Sequence, residues 1–299
     1  MIKKIIVGTR GSSLALAQTR LIIAAIQEKF PQLELKPITI STSGDLILDQ
    51  TLEKVGGKGL FVEEIEEALS TGFIDIAVHS MKDLPAQIGD GLVIAAVSKR
   101  EDPRDALVTA AGLKLDELPA GAVIGTSSIR RETQLLERRP DLKVALLRGN
   151  VLTRLDKLMR GDFDGIILAA AGLKRLGLEN QIVQYFEPDE MLPAVGQGIL
   201  AIQARADEEV AYLLKSVHCE ETALCAGAER AFMIRLNGDC STPIAAYAVI
   251  SGAQMTVRGM LADQEKRQIY RAVVTGGKHD AVALGEKLAD MILAQMGGD

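Results

Sequence analysis

Asp75-Ile76-Ala77-Val78-His79-Ser80-Met81-Lys82-Asp83-Leu84-Pro85 runs from an apolar segment straight into a polar cluster. Ile74, Ile76 and Val78 suit a buried strand, and Pro85 stops regular structure just after Lys82 and Asp83 have been delivered. In an open α/β sheet, ligands collect at the carboxyl ends of strands, so this Lys-Asp pair marks a candidate site. Taken alone, the same residues read more simply as a surface turn with a solvated ion pair.

The surrounding chain limits the choice of function. At 299 residues it is long enough for two or three domains, and its net charge of −6 argues against a general nucleic-acid binder. Aromatic residues make up only 3% and tryptophan is absent, which leaves little for base stacking. Any basic site must be local. No apolar run approaches the roughly 18 residues of a membrane span, and Met1 to Gly8 lacks a leader's apolar core, so a cytoplasmic location without a membrane partner is expected. The cysteines, Cys219, Cys225 and Cys240, and the histidines, His79, His218 and His279, form no metal-ligand spacing; no metal is expected.

Working outward, Lys4 to Thr9 reads as a strand, and Ser12 or Ser13 can cap a helix with Leu14, Ala17, Leu21 and Ala24 on its inner face. Arg10 and Ser12 at that join suit a carboxylate or phosphate, or else an ordinary capped helix with an incidental arginine. Leu35 to Ile40 is a second strand. The following segment contains Gly56-Gly57-Lys58-Gly59 and fits a mobile flap; it lacks the spacing of a nucleotide loop. Phe61, Ile65 and Ala68 then mark a helix whose Glu63, Glu64, Glu66 and Glu67 mostly point to water. Leu92 to Val97 is another strand, and the charged run Lys99 to Asp105 reads as a crossing between lobes.

Beyond the crossing the plan repeats. Val123-Ile124-Gly125-Thr126-Ser127-Ser128 echoes Ile6 to Ser12, and Phe163 to Leu168 echoes Phe73 to Val78. Arg130 and Arg131 open a helix, Arg148 ends the strand Lys143 to Leu147, Arg154 lies one turn into the next helix, and Arg175 follows the strand Ile166 to Ala169. If the strands are parallel, their carboxyl ends share one edge and the arginines converge. Several guanidinium forks suit a ligand with several acid groups, although each arginine alone reads as a helix-face ion-pair partner. Pro193 to Gly198 is a second crossing, and Ile199 to Ala204 returns to the first lobe. A helix from about Glu221, three strands (Ile244 to Ile250, Met255 to Leu261, Gln268 to Thr275) and a last helix, Asp280 to Met296, form a third unit with an antiparallel sheet. The expected divisions are 1–98 with 199–217, 104–193, and 221–299. Cys240 sits in the loop Leu236 to Pro243, either as an exposed thiol or as a small apolar filler.

With these segments in view, the sequence resembles the porphobilinogen deaminase family, the hydroxymethylbilane synthases, over essentially its full length. The resemblance rests on Gly8 to Ser12, Gly56 to Phe61, Val78 to Pro85, Arg100 to Asp105, Gly125 to Arg131, Arg148 to Val151, Ala170 to Leu173, Pro193 to Gly198 and the Cys240 loop, all in the family's order. It implies an α/β fold of two periplasmic-binding-protein-like lobes joined by two crossings, plus a small C-terminal α+β domain with a three-stranded antiparallel sheet. It implies head-to-tail condensation of four porphobilinogen molecules with release of ammonia, giving hydroxymethylbilane for tetrapyrrole biosynthesis in a monomer. The chain is primed on a dipyrromethane cofactor in thioether linkage to a loop cysteine, by position Cys240.

By the same resemblance Asp83 is the catalytic carboxylate, placed where positive charge spreads to the pyrrole nitrogen. Lys82, Ser80, Thr126, Ser127, Ser128, Arg130, Arg131, Arg148 and Gly149 would hold the cofactor. Arg10, Ser12, Arg154, Arg175 and Gln197 would bind substrate, and Lys58 and Phe61 belong to a lid. Two positions depart from the family: Asp239 stands where a second glycine is frequent, and Gln203 where glutamate is common. A two-lobed binding protein for a polycarboxylate is the competing class, and it needs neither Asp83 nor a tether at Cys240. A phosphate-using enzyme with arginine clamps is a third, without a recognisable nucleotide loop.

Overall fold

The computed structural model describes residues 2–43, 62–238, 242–263 and 268–297. Lys58, Phe61 and Cys240 lie outside the described residues. Two five-stranded mixed sheets and one three-stranded antiparallel sheet organise the rest.

The first sheet contains β1 (Lys4–Thr9), β2 (Glu34–Thr39), β3 (Ile76–Ser80), β4 (Leu92–Val97) and, from far along the chain, β10 (Leu200–Arg205), in the order β2-β1-β3-β10-β4. The second contains β5 (Asp105–Thr109), β6 (Val123–Gly125), β7 (Lys143–Ala145), β8 (Gly165–Ala169) and β9 (Gln184–Phe186), in the order β7-β6-β8-β5-β9. The first three strands of each sheet are mutually parallel. The fourth is antiparallel to both neighbours, and in each case it is the strand that arrives directly from a crossing. The parallel arrangement expected from sequence holds for β6, β7 and β8, the strands that precede the second-lobe arginines. A chain that has just crossed from the other lobe enters from the sheet's site edge and must run away from it.

The repeat extends to single hydrogen bonds. Asp75 caps the start of β1 by accepting from Ile6 N at 2.7 Å, and Asp164 accepts from Val123 N at 2.7 Å in the second lobe. Each aspartate precedes its strand, so Ile74 and Asp75 lie outside β3 and the strand is shorter than its apolar pattern suggested. Gly8 and Gly125 occupy matching places in β1 and β6, where an added Cβ would strike Ile74 and Phe163 respectively. Glycine is required there by close packing rather than by turning.

Helix α1 (Ser13–Lys29) is capped by Ser12, whose Oγ accepts from Ala15 N at 3.2 Å. Its buried face is Gln18, Thr19, Ile22 and Ile26, the stripe beside the expected one, and Leu21 is exposed. The mismatch has a cause: Gln18 and Thr19 are buried because they are paired, with Ser80 Oγ (3.0 Å) and Thr9 Oγ1 (2.7 Å). Helix α2 (Glu63–Ser70) buries Ile65 and Leu69, but Glu66 and Glu64 do not simply face water. Glu66 accepts from Gly89 N and from the buried Gln203, while Glu64 accepts from Ser43 N at 2.7 Å.

The crossings run side by side, with Ser98 N donating to Leu200 O and Glu101 N to Gly198 O. After β10 come α6 (Glu208–Leu214), which the sequence reading did not anticipate, and α7 (Glu220–Arg235). Strands β11 (Ile244–Ser251), β12 (Gln254–Asp263) and β13 (Gln268–Gly277) form the third sheet, covered by α7 and by the last helix, Ala281–Met296. Their shared core includes Phe232, Met255, Val257, Leu288 and Ile292. Glu229 of α7 is fully buried and accepts from Arg100 Nη2 (2.7 Å), Gly196 N (2.7 Å) and Ala248 N (2.8 Å). One carboxylate thus joins both crossings to the third sheet.

His79 of β3 is buried, and burial lowers its pKa from 6.5 to about 4 despite the neighbouring Gln203. Between those values the unfolded chain binds the extra proton, so folding stability falls as the pH drops from 6.5 towards 4. From pH 7 to pH 5 this group alone should cost about 2 kcal/mol. Denaturant titrations should therefore show the parent losing about that much more than His79→Gln over this interval. Equal losses would assign the acid sensitivity to other groups.

Candidate active site

The carboxyl ends of the parallel strands from both lobes face one another across a cavity of about 570 Å³. Its first-lobe wall carries Arg10 and Ser12 after β1, and Ser80, Lys82 and Asp83 after β3. Residues Met81–Asp83 form a single 3-10 turn. Met81 and Leu84 are buried at its two sides, and Met81 N donates to Ile199 O at 3.0 Å. Anchoring the apolar neighbours inward turns Lys82 and Asp83 to the cavity. Pro85 then ends the turn, because it has no N–H to continue it.

The second-lobe wall brings Ser127 after β6, Arg148 and Gly149 after β7, Arg131 from α3 (Ile129–Arg138), Arg154 from α4 (Val151–Met159) and Arg175 from α5 (Ala170–Arg175). Asn150 caps α4 by accepting from Thr153 N at 3.0 Å, and Arg154 Nε donates to Gly149 O at 2.7 Å. Arg175 Nη2 donates to Gly198 O at 2.6 Å, linking α5 to the second crossing. Six basic side chains from the two walls therefore line the cavity: Arg10, Lys82, Arg131, Arg148, Arg154 and Arg175. Among the described residues lining it, Asp83 is the only acid.

Such crowding leaves an electrostatic signature. Burial lowers Arg154 to about 10, with Arg131 and Arg148 pushing the same way and Asp83 opposing. Burial likewise lowers Arg175 to about 10, with Glu101 opposing. Lys82 falls to about 8, first through burial; Asp83 and Asp105 hold it up, and Arg131 and Arg130 press it down. These groups retain positive charge at neutral pH, with Asp83 the one acid beside them among the described lining residues. That donor set fits a ligand carrying several carboxylates.

Arg130 and Arg131 are 5% exposed each and converge on Asp105, the first residue of β5, which is completely buried. Arg130 Nη1 donates to Asp105 Oδ2 at 2.7 Å and to Leu192 O at 2.8 Å. Arg131 donates to Asp105 Oδ1 through Nε (3.0 Å) and Nη2 (2.7 Å), and to Ile167 O through Nη1 (2.8 Å). Burial alone would raise the Asp105 carboxyl, but the Arg130 and Arg131 guanidiniums hold it well below the usual carboxylate range.

The sequence-based set is therefore divided by the structure. Asp83, Lys82, Ser80, Ser12, Arg10, Ser127, Arg131, Arg148, Gly149, Arg154 and Arg175 line the cavity. Arg130, Thr126, Ser128 and Gln197 are not on its wall: Arg130 is engaged beneath it, and the buried Thr126 uses Oγ1 to accept from Ser128 N at 3.1 Å. Asp105 and Gln18 were not anticipated. Asp105 ends a charged run and begins a strand, so only its following apolar residues, Ala106 to Val108, could have flagged it.

Residues 5–212 match the family model "Porphobilinogen deaminase, dipyromethane cofactor binding domain", and residues 223–294 match "Porphobilinogen deaminase, C-terminal domain". A porphobilinogen deaminase of Brevibacillus brevis is 49% identical over 295 residues, covering 98% of this chain and 95% of its own. One of Syntrophus aciditrophicus is 48% identical over 288 residues, covering 96% and 94%. Among solved structures, the methionine binding protein MetQ aligns with 76% of this chain and 95% of its own, at a TM-score of 0.48 and 15% identity. With both family models matched in order along nearly the whole chain, and relatives of close to half identity end to end, the chain belongs to the porphobilinogen deaminase family, the hydroxymethylbilane synthases of tetrapyrrole biosynthesis.

Proposed function

We propose a residue-level account of the family's reaction, in which four porphobilinogen molecules are joined head to tail with loss of ammonia and released as hydroxymethylbilane. Asp83 is the catalytic carboxylate. The observation that carries this is its position as the single acid among six basic groups on the described cavity wall. As the substrate's amine leaves, positive charge spreads to the pyrrole nitrogen, and a fixed carboxylate nearby lowers the energy of that state. The same group is suited to protonating the departing amine.

Lys82 and Arg10 from one lobe, with Arg131, Arg148, Arg154 and Arg175 from the other, bind the acetate and propionate groups of the growing chain. Ser12, Ser80 and Ser127 add hydroxyl donors on the same wall. Arg130 acts through Asp105 and Arg131 rather than by direct contact. The dipyrromethane cofactor supplies a covalently held pyrrole terminus on which the chain is extended, and this cationic set suits its carboxylates. We assign its thioether tether to Cys240 and the site's cover to Lys58 and Phe61. Excluding water from the cleft protects the electrophilic centre from hydrolysis.

The functional units are 1–98 with 199–217, 104–193 and 221–299, and the enzyme works as a monomer in the cytoplasm. Light scattering at micromolar protein checks the monomer, with a dimer mass counting against it.

Three outcomes test the site. Asp83→Asn should fold and keep its tether while porphobilinogen consumption falls by roughly a hundredfold or more; near-normal consumption removes Asp83 from the chemistry. Arg154→Leu removes one of the half-starved guanidiniums, and enzyme-bound intermediates short of the tetrapyrrole should accumulate on native gels. Intact mass of the active protein should exceed the bare chain by two pyrrole units, mapped to the Cys240 peptide. Active protein at the bare mass overturns the tether.

A further inference from the structure

Gln197 lies in the second crossing and is 1% exposed. Its Nε2 donates to Pro103 O at 2.7 Å and to Asp105 Oδ1 at 3.0 Å, while its Oε1 accepts from Lys82 Nζ at 3.4 Å. The amide's orientation follows from these partners: reversed, its oxygen would face two acceptors and its NH2 an ammonium. Pro103 belongs to the first crossing, Asp105 to the second lobe and Lys82 to the first lobe. One neutral side chain of the second crossing therefore touches the first crossing and both lobes. Both of its polar atoms are spent on protein groups, and it is not on the cavity wall.

We infer that Gln197 is a positioning residue, which holds the Lys82 ammonium at the cleft and ties it to the Asp105 anchor beneath the second-lobe arginines. It thereby sets the spacing between the carboxylate-binding groups of the two lobes, a role distinct from substrate contact. The inference rests on Lys82 being one of those binding groups. Neutrality matters to this role. An amide can donate to a carboxylate on one side and accept from an ammonium on the other, with no net charge added to a crowded interior.

Among the described residues, Asp83 and Asp105 favour the protonated form of Lys82, and Arg131 and Arg130 oppose it. Replacing Gln197 should change that balance in a direction set by the replacement. Gln197→Met keeps the length but removes the acceptor, so Lys82 should lose its proton at lower pH. Gln197→Glu places a carboxylate against the ammonium, so Lys82 should hold its proton to higher pH.

The readout is the pH dependence of Lys82 acylation by acetic anhydride in the purified full-length protein, followed by peptide mass mapping. The expected result is a midpoint shifted down from the parent's by roughly half a unit or more in Gln197→Met and up by a similar amount in Gln197→Glu. Turnover of Gln197→Met should fall roughly tenfold, since an interior ammonium and carboxylate each lose a partner. Unchanged midpoints, or shifts of one sign in both variants, overturn the proposal; a purely structural residue gives no opposed pair. Should Gln197→Met fail to fold, the sign of the Gln197→Glu shift decides alone. An inactive Asp83→Asn beside unshifted Lys82 midpoints rejects only the role of Gln197. An active Asp83→Asn rejects the site reading beneath it.

Discussion

Like charges do not gather without something to hold them together, and in this protein the holder is Asp105. It sits at zero exposure, takes two guanidiniums from the first turn of α3, and receives the Gln197 amide as a further donor. Burying an ion pair contributes little to net stability, but removing one partner from such a group leaves an uncompensated interior charge at a cost of about 3–5 kcal/mol. The position therefore resists change for reasons that precede catalysis. Arg131 can stand on the cavity wall because its charge is already matched by Asp105. The neighbouring Asp102 serves the second lobe similarly, accepting from Arg104 Nη2 and Lys174 Nζ at 2.8 Å each.

How far the sequence could be read depended on whether local pattern and tertiary role agreed. They agree at β3, where an apolar run, a Lys-Asp pair and a proline describe the strand, its turn and its end. They agree again for Arg148, Arg154 and Arg175, each of which follows a strand by a short interval. They part at Asp105, the last charge of a run that looks wholly solvated although its carboxylate is the most protected in the lobe. They part also on α1, whose buried stripe contains Gln18 and Thr19; polar residues enter a core once their partners are fixed, and those partners, Ser80 and Thr9, come from other segments. Helix α6 carries a start signal in Asp207, which accepts from Val210 N, and in Glu208 and Glu209 of its first turn, but seven residues are too few to show a helical period.

The third sheet is attached at the hinge, and its strands also reach the second lobe, where Arg271 pairs with Glu137 and Arg258 with Asp189. Glu229 reaches Arg100 of one crossing and Gly196 of the other, while Arg230 Nη2 donates to Pro85 O (3.0 Å) and Ala86 O (2.9 Å), just beyond the Asp83 turn. Two successive residues of α7 thus grip the hinge and the end of the first lobe's active segment. A domain held this way can follow the lobes through small rotations without losing its grip on either crossing.

The late arrival of β10 also bears on how the molecule is made. All strands of the second sheet lie between residues 105 and 186, whereas the first sheet lacks the strand between β3 and β4 until residue 205 has been added. On a ribosome, the lobe encoded second is the first that can complete its sheet. The lobe encoded first waits with two open edges, which are sites of mispairing until they are filled. Insertion of β10 closes that gap, and the same stretch of chain brings Gly196, Gln197 and Gly198 to the hinge. Completion of the nascent first lobe and assembly of the catalytic cleft are consequently one event.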